Sequence, residues 1–453
     1  MEKTCVVNSL AVSKLIYVGS ILPIPENDLM KKMKNSIFNF IWNKRDRIKR
    51  ETVIGKQGNG GLGLVDIELK LKAIKASWVK RLIDESNVIN NIVNSYLNVM
   101  NIDLNYMLTL SETKTENFTI ISKLPIFYKE IFSYFNECKK TIDVSNLSDI
   151  KFARQPLWNN NLFQYKGKTL CFQNWIASNI LYVKDVFNEN GVFKSLQEFS
   201  DILSNKSNWL CEYNIIRNVI KNKSILFDMK CCVFTRTDFV NTFNFHNGVH
   251  CILEKKCNFY YENMLSRKFK PPCHQSYLSR NYCVNKEYWP SIYANKIKNM
   301  YDKRLSEFNY NLLNNILCTN SFLQKCKIRQ NAKCDYCDIS NEDIKHLIFD
   351  CDNVKQIWHN LNNALNFTVK WKHVVIGFYV ETNPKVLFYN TIISYIAFKI
   401  YKFKMGCRIK NECQDSLELK QFVKNSLFKD MEIMLDFSNL NLFKNMVKRL
   451  TNI

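Results

Sequence analysis

Apolar residues recur every three or four positions along much of this chain, a spacing that places them on one face of an α-helix. Leu29, Met33, Ile37 and Ile41 have this spacing between residues 26 and 42. The pattern predicts a helix there and further helices over 64–82, 301–316, 341–349, 354–361 and 390–405. Helix-breaking residues are rare, because only 11 Gly and 8 Pro occur among 453 residues. We therefore expect a mainly α fold.

Five of the glycines lie between Gly55 and Gly63. This composition predicts a tight turn between two helices, although its backbone amides also suit a phosphate contact. The segment is not a P-loop, because no Gly-Lys-Ser/Thr follows, and no predicted strand precedes it as in a dinucleotide-binding loop. A second glycine signal, Lys166-Gly-Lys168, predicts a short hairpin or a turn into a helix.

Length and cysteine content restrict the class of protein. At roughly 100–200 residues per domain, the length predicts about two to four domains. No run reaches the ~18 apolar residues of a membrane-spanning helix, and we find no signal peptide. The 17 cysteines are odd in number and scattered, so we expect reduced thiols rather than disulfides. These features favour a nuclear or cytoplasmic protein that is neither secreted nor membrane-inserted.

The charge balance predicts a polyanionic partner. The chain carries 64 Lys and Arg against 41 Asp and Glu, a net charge of +23. Basic side chains that neutralise phosphates release counterions, so RNA or DNA is the expected partner and its affinity should fall with salt. An anionic membrane surface is the weaker alternative.

Two basic segments are the candidate phosphate contacts. Residues 31–56 carry a net charge of +7 and border Phe38, Phe40 and Trp42, aromatic side chains on which bases can stack. A solvated charged face is an equally good interpretation of this run. The predicted helix 390–405 also combines an apolar face with lysines. The candidate contacts are Lys44, Arg45, Arg47, Lys49, Arg50, Lys56, Lys399, Lys402 and Lys404.

The strongest chemical signal is a C-x2-C-x8-H-x4-C arrangement of Cys334, Cys337, His346 and Cys351. A two-residue spacer lets one tight turn present two thiolates to a metal, and a tetrahedral Zn²⁺ site needs four such ligands. We expect Ser340 or Asn341 to cap a short helix that carries His346. Asp352 is the expected cap of the next helix. A closed set of four ligands favours structural over catalytic zinc.

The alternative is that these four residues are unrelated and that His346 is a core histidine. Other residues of metal-ligand type lack paired spacing, so ordinary packing is the preferred interpretation for them. They are His246, His250, Cys251, Cys257, Cys273 and His274.

Several segments, taken with the cysteine motif, resemble a known family. The motif with Lys303–Leu317 and Gln356-Ile-Trp358 resembles the zinc-binding segment that follows reverse transcriptase in LINE-class (non-LTR) retrotransposon polyproteins. Upstream blocks occur in the family's order. Those similar to the end of the polymerase thumb are Asn8–Tyr17, Leu22–Pro25 and Phe38–Trp42. Those similar to the region beyond it are Gly60–Asp66, Ala76–Leu82, Gln155–Asn160, Trp175 and Asp185–Phe193.

The resemblance implies a thumb remnant over 1–45, a mostly helical connector over 46–285 and a small zinc-stabilised helical domain over 286–453. A reverse transcriptase also needs palm carboxylates that hold two metal ions, usually in a Tyr/Phe-x-Asp-Asp tetrad. This chain has no Asp-Asp dipeptide. It therefore resembles the C-terminal part of such a polyprotein without its polymerase and endonuclease. That implies non-catalytic binding of RNA or an RNA–DNA duplex, and a missing polymerase portion as a partner in trans.

Two other functions remain open. Some related elements place a restriction-like nuclease near such a motif, and Asp66-Ile-Glu68-Leu-Lys70 and Asp415-x2-Glu418-Leu-Lys420 contain acid and lysine types for metal-assisted hydrolysis. Acids two or three positions apart in a helix are more often solvated charges. The second alternative is a zinc-stabilised protein-interaction module, whose binding would ignore salt.

Overall fold

The computed structural model describes most of the chain. The described residues are 2–43, 45–110, 123–140, 147–203, 208–225, 227–230, 241–381, 383–410 and 416–437. Within these residues the chain is mostly helical, which confirms the expected mainly α class.

Helices follow one another along the described sequence. The N-terminal α-helices are Glu2–Val6, Ser13–Gly19, Asn27–Trp42, Arg50–Val53, Ile67–Ser77, Val79–Ile83, Val88–Val99, Leu104–Thr109 and Ile126–Cys138. The middle helices are Asp149–Ala153, Gln173–Ala177, Leu196–Leu203, Trp209–Ser224 and Cys257–Lys268. The C-terminal helices are Cys273–Tyr282, Trp289–Tyr293, Lys303–Leu313, Asn320–Lys325, Asp352–Leu365, Trp371–Val375, Pro384–Lys410 and Ser416–Phe437.

Shorter elements complete the described backbone. Wider, π-helical turns are Val7–Val12, Ala294–Lys298 and His346–Asp350. Tighter, 3-10 turns are Gln57–Asn59, Val183–Val186, Ile252–Glu254 and Lys286–Tyr288. Two antiparallel hairpins pair β1 (Gln164–Tyr165) with β2 (Lys168–Thr169) and β3 (Thr242–Phe245) with β4 (Gly248–Cys251). Of the two structures expected at Lys166-Gly-Lys168, a short hairpin and a turn into a helix, the structure shows the hairpin, formed by β1 and β2.

The chain divides into two compact units by its internal contacts. Unit 1 comprises Met1–Ser9, Asn35–Leu64 and Phe269–Ile453, and unit 2 comprises Leu10–Lys34 and Val65–Lys268. Both are therefore discontinuous in sequence. The domain boundaries expected at residues 45 and 285 remain predictions.

Unit 2 is organised around the helix Ile67–Ser77, which packs against Ile126–Cys138 and Cys257–Lys268. The Asp66 side chain begins this helix by accepting a hydrogen bond from the Leu69 amide at 3.2 Å. The helix expected over 64–82 is interrupted at Trp78, where Ile67–Ser77 ends. Lys75 is fully buried, and its Nζ lies 3.2 Å from a carboxylate oxygen of Glu130.

The glycine-rich segment of unit 1 is a turn, as expected. Gly60 has a φ of 86°, a conformation that glycine adopts without the steric cost of a side chain. A Cβ on Gly61 would lie 2.0 Å from the Gly55 carbonyl oxygen, so no larger residue fits there. The Gly63 amide donates to the same Gly55 oxygen at 2.8 Å.

The core of unit 1 forms where four helices meet: Lys303–Leu313, Asp352–Leu365, Pro384–Lys410 and Ser416–Phe437. The predicted apolar faces of the first three helices supply many of its buried side chains, and Ser416–Phe437, which was not predicted, adds Leu419, Val423 and Leu427. The buried side chains of the first three helices include Leu305, Phe308, Leu312, Val354, Ile357, Trp358, Leu361, Ile392, Ile396 and Ile400. Asp302 caps the first of these helices, accepting from the Arg304 amide at 2.7 Å.

No helix among the described residues is long and apolar enough to cross a lipid bilayer.

The packing of Trp358 gives a test of this core. Trp358 is 3% exposed, and its Nε1 donates to the Ile348 carbonyl oxygen at 2.8 Å. We expect Trp358→Ala to lower the free energy of unfolding by about 3–5 kcal/mol, because the cavity and the unpaired carbonyl are both unfavourable. Urea denaturation followed by circular dichroism measures the change. The control is His359→Ala, because His359 is the next residue of the helix and is exposed. It should leave the urea midpoint of unfolding unchanged. Equal midpoints for the two variants would contradict this packing.

Candidate metal centre

The first half of the centre is a tight turn that presents two cysteines. Its base is a short antiparallel bridge between Lys333 and Asn341. The Cys334 amide donates to the Ser340 carbonyl oxygen at 2.9 Å, and the Asp338 amide donates back to the Cys334 carbonyl oxygen at 2.9 Å. These bonds fold residues 334–340 into a knuckle from which Cys334 and Cys337 project to the same side.

The second half is the π-helical turn His346–Asp350, with a ligand at each end. Asp343 begins this turn, because its carboxylate accepts from the His346 amide at 2.7 Å. Asp343 therefore takes the capping role that was expected for Ser340 or Asn341. The Cys351 amide donates to the His346 carbonyl oxygen at 3.0 Å, which brings the two ligands together.

Cys351 also stands directly before the next helix. The helix begins at Asp352, so Asp352 is its first residue rather than the expected cap. Its carboxylate instead pairs with Lys355 at 2.7 Å. Binding of a metal by Cys351 would fix the position at which this helix starts.

The four ligand atoms converge on one point. All lie within 4.8 Å of one another. The sulfurs of Cys334 and Cys351 are 4.0 Å apart, and Cys337 Sγ lies 3.4 Å from His346 Nε2. Tetrahedral Zn²⁺ with Zn–S of about 2.3 Å and Zn–N of about 2.0 Å requires separations of roughly 3.8 Å for S···S and 3.5 Å for S···N. The residues therefore fit zinc in both chemistry and spacing.

The surroundings of the site favour a structural role. Cys334 and Cys351 are fully buried, whereas Cys337 and His346 are half-buried. Four protein ligands complete a tetrahedral shell and leave no coordination position for a substrate. Zinc held in this way adds free energy to folding rather than supplying reaction chemistry.

The two buried thiols differ in acidity. The pKa of Cys334 is lowered, first by the hydrogen bond with the Cys351 thiol and then, against the effect of burial, by the charge of Lys404 and by backbone amides. The same thiol pair and burial raise the pKa of Cys351. Cysteine binds zinc as a thiolate, so metal binding releases a proton from each ligand thiol that is still protonated.

Five charged side chains pack beside the knuckle, and we call them the charge cluster: Arg329, Asp335, Glu342, Lys404 and Arg408. Lys404 Nζ lies 3.2 Å from Cys334 Sγ and 2.7 Å from a Glu342 carboxylate oxygen. Arg408 contacts both carboxylates, Glu342 at 2.8 Å and Asp335 at 3.2 Å. Arg329 pairs with the other oxygen of Asp335.

The sequence alone did not reveal this cluster. Asp335 and Glu342 lie inside the ligand motif. Their acidic side chains were the one local indication that basic partners would pack there. Lys404 is 70 positions from Cys334, however, and no local spacing connects them.

The structure also corrects part of the predicted phosphate-binding set. Lys404 is fully buried and Lys399 is 9% exposed, with its Nζ 3.0 Å from Asp430. Amines enclosed and paired in this way do not present their charge to a polyanion. The helix Pro384–Lys410 was expected to bury only one face, but side chains of unit 1 enclose it on several sides.

The other predicted contacts lie mostly at the surface. The exposed residues are Arg45, Arg47, Lys49, Lys56 and Lys402. Arg50 is half-buried, pairs with Asp46 at 2.7 Å and lies over the ring of Phe38. Lys44 lies outside the described residues.

Two acids of the nuclease alternative, Asp66 and Glu68, are paired with lysines. Asp66 pairs with Lys268 at 2.6 Å, and Glu68 pairs with Lys34. Burial raises the pKa of Glu68, but the hydrogen bond and charge of Lys34, with the charge of Lys72, bring it down to about 2. Glu418 is exposed, and Asp415 lies outside the described residues.

Among the described residues, Cys334, Cys337, His346 and Cys351 are the one group of three or more Cys, His, Asp or Glu side chains close enough to hold a metal. The other cysteines and histidines considered above do not form such a group. His274, for example, bonds through Nδ1 to the Leu313 carbonyl oxygen at 2.9 Å and stacks on Tyr277.

A cysteine knuckle joined to a histidine and a cysteine on a helical turn defines a zinc-binding module. Residues 273–358 match the family model described as zinc-binding in reverse transcriptase, and all four ligands lie within that range. No curated protein matches the chain. The match and the cluster together identify zinc as the cofactor of this segment.

Removal of one ligand tests the centre. We expect Cys334→Ser and Cys351→Ser each to lose the bound zinc and to unfold the segment around the knuckle, because structural zinc supplies folding free energy. Zinc per chain is measured by mass spectrometry of metals after gel filtration, and local unfolding by hydrogen exchange. Cys283→Ser is the control, since Cys283 is exposed and lies in the same matched range. Full zinc content in both ligand variants would refute the assignment.

Proposed function

We propose that this chain is a non-catalytic, zinc-containing part of a LINE-class (non-LTR) retrotransposon reverse transcriptase that binds RNA or an RNA–DNA duplex. The observation that carries the proposal is the match of residues 273–358 to the zinc-binding family of reverse transcriptases. The upstream blocks that resemble the thumb and connector extend it over most of the chain. The net charge of +23 supports a polyanionic partner.

Unit 1 offers a surface for such binding next to the zinc segment. Arg45 lies beside the helix Asn320–Lys325, with its Nη1 4.0 Å from the sulfur of Cys326. The neighbouring side chains Arg47 and Lys49 are exposed, as are Lys325 and Lys327 on the zinc-segment side. We call these five residues the basic surface. Such a group of cations attracts phosphates irrespective of base sequence.

The aromatic part of the expected interface is smaller than the sequence predicted. Phe38 is 5% exposed, and Arg50 lies 4.6 Å from its ring centroid. Phe40 remains 48% exposed, with Lys3 Nζ 5.4 Å from its ring centroid, and is the aromatic side chain that we propose for base stacking. Recognition of shape and charge agrees with A-form RNA, whose major-groove bases are inaccessible to side chains.

The proposed role excludes polymerisation by this chain alone. Its sequence has no Asp-Asp dipeptide of the kind that holds catalytic metal ions in a polymerase palm. We propose that residues 1–45 correspond to the end of a thumb, and that a polymerase portion supplied in trans is a partner.

A zinc-stabilised protein-interaction module is the second candidate, and one observation favours it. Ile328 is 73% exposed and Ile339 is 79% exposed, both on loops of the zinc segment. Apolar side chains at such positions suit a protein contact. Binding through them would depend little on salt, so the experiment below separates the two functions.

Salt dependence of RNA binding tests the proposal. We expect Arg45→Ala/Arg47→Ala/Lys49→Ala to weaken RNA affinity and to flatten the slope of log K against log salt by about 2, because each lost phosphate contact of a single strand contributes about 0.7. Fluorescence anisotropy with a labelled single-stranded RNA and an RNA–DNA hybrid gives both quantities.

A control of equal charge is available in unit 2. Lys166, Lys168 and Lys221 are exposed, so Lys166→Ala/Lys168→Ala/Lys221→Ala removes three charges elsewhere. This control should keep the wild-type slope. Equal slopes in both triple variants would show that the basic surface makes no specific contribution, and binding insensitive to salt would favour the protein-interaction module.

A further inference from the structure

Lys404 occupies a position that neither the zinc motif nor nucleic-acid binding explains. Its amine has no exposed surface, yet it lies 3.2 Å from Cys334 Sγ. Its other neighbours are a Glu342 carboxylate oxygen at 2.7 Å and the ring of Tyr336, with the ring centroid 4.1 Å away. A buried lysine is unfavourable unless its charge is compensated, so these neighbours must account for it.

The charges of the cluster do not cancel by themselves. Lys404, Arg408 and Arg329 supply three positive charges, whereas Glu342 and Asp335 supply two negative charges. The cluster therefore has an excess of one positive charge beside the knuckle.

Zinc bound by this set of ligands has the opposite excess. Three thiolates and a neutral imidazole bind Zn²⁺ with a net charge of about −1. The excess charges of the site and of the cluster are thus equal and opposite. Within the charge cluster, Lys404 is the cation that contacts a ligand sulfur directly, through its Nζ and the Sγ of Cys334.

We propose that Lys404 is a positioning residue of the zinc centre, which donates a hydrogen bond to the zinc-bound Cys334 thiolate and neutralises the excess negative charge of the site. Tyr336 supports this arrangement from the knuckle, since its amide donates to the same sulfur at 3.4 Å. Glu342 orients the ammonium group and is itself held by Arg408 and by the Asn320 amide at 2.9 Å. The helix Pro384–Lys410 is in this way connected to the ion without supplying a ligand. This proposal rests on the zinc site and is independent of RNA binding.

The consequence for the metal is twofold. Loss of a group that orients or neutralises a ligand usually weakens metal binding by about 10- to 100-fold. Loss of a cation beside a thiolate also makes the sulfur more electron-rich, so less energy is needed to transfer an electron from sulfur to a bound Co²⁺ ion. A purely structural role of Lys404 would lower stability without this spectral change.

The test compares Lys404→Met with Lys404→Arg in the full chain. We expect Lys404→Met to weaken zinc binding by about 10- to 100-fold in competition with a chromogenic chelator. In the Co²⁺-loaded protein, its sulfur-to-cobalt charge-transfer band should move to lower energy, while the ligand-field bands stay tetrahedral. Lys404→Arg retains the charge and should stay closer to wild type in both measurements.

Two further variants make the result interpretable. Lys385→Met removes an exposed lysine from the same helix, outside the candidate phosphate contacts, and should keep the wild-type zinc affinity and cobalt spectrum. Lys404→Met/Glu342→Gln also removes the charge of the Glu342 carboxylate, which would otherwise be buried without Lys404. This double variant replaces Lys404→Met in both measurements if the single variant does not fold. Wild-type zinc affinity and an unshifted cobalt band in Lys404→Met, or in Lys404→Met/Glu342→Gln if the single variant does not fold, would overturn the proposal. So would a Lys404→Arg variant that is impaired as much as Lys404→Met in both measurements.

Discussion

Coordination of one metal ion by Cys334, Cys337, His346 and Cys351 is the interaction on which the C-terminal part of this protein depends. Residues 314–351 contain little regular structure besides the short helix Asn320–Lys325 and the turn His346–Asp350. A segment with so little regular structure gains little free energy of folding from its own backbone hydrogen bonds and packing. Four bonds to a metal ion supply the stabilisation that it needs. The same bonds fix Cys351, and with it the start of the helix Asp352–Leu365.

The metal centre is also joined to the core of unit 1. From Cys351 the helix Asp352–Leu365 carries Trp358 back against the Ile348 carbonyl oxygen. From the other side, Lys404 and Arg408 of the helix Pro384–Lys410 contact Cys334, Glu342 and Asp335. Ligation, packing and buried charge therefore act on the same few residues. This arrangement leaves Arg45, Arg47 and Lys49 at the surface, where the proposed RNA contact lies.

Much of this organisation was predictable because its signals are local. Ligand spacing within 18 residues identified the zinc site, and apolar periodicity identified three of the four helices of the core, the exception being Ser416–Phe437. Prediction failed where the deciding partner is distant in sequence. Lys399 and Lys404 have the spacing of an exposed basic face, but their carboxylate partners are Asp430 and Glu342.

Caps and boundaries were harder to predict for a different reason. Ser340, Asn341 and Asp343 are all good capping residues within four positions, and the wide π-turn selects Asp343. Unit boundaries depend on which segments pack together, and each unit here combines segments that are far apart in the chain.

X-ray absorption at the zinc edge of the purified full chain is the most direct measurement of the metal centre, because it reports the number, type and distance of the ligands. We expect one zinc with three sulfur neighbours at about 2.3 Å and one nitrogen neighbour at about 2.0 Å. A shell dominated by oxygen or nitrogen, or one with fewer than three sulfurs, would contradict this coordination.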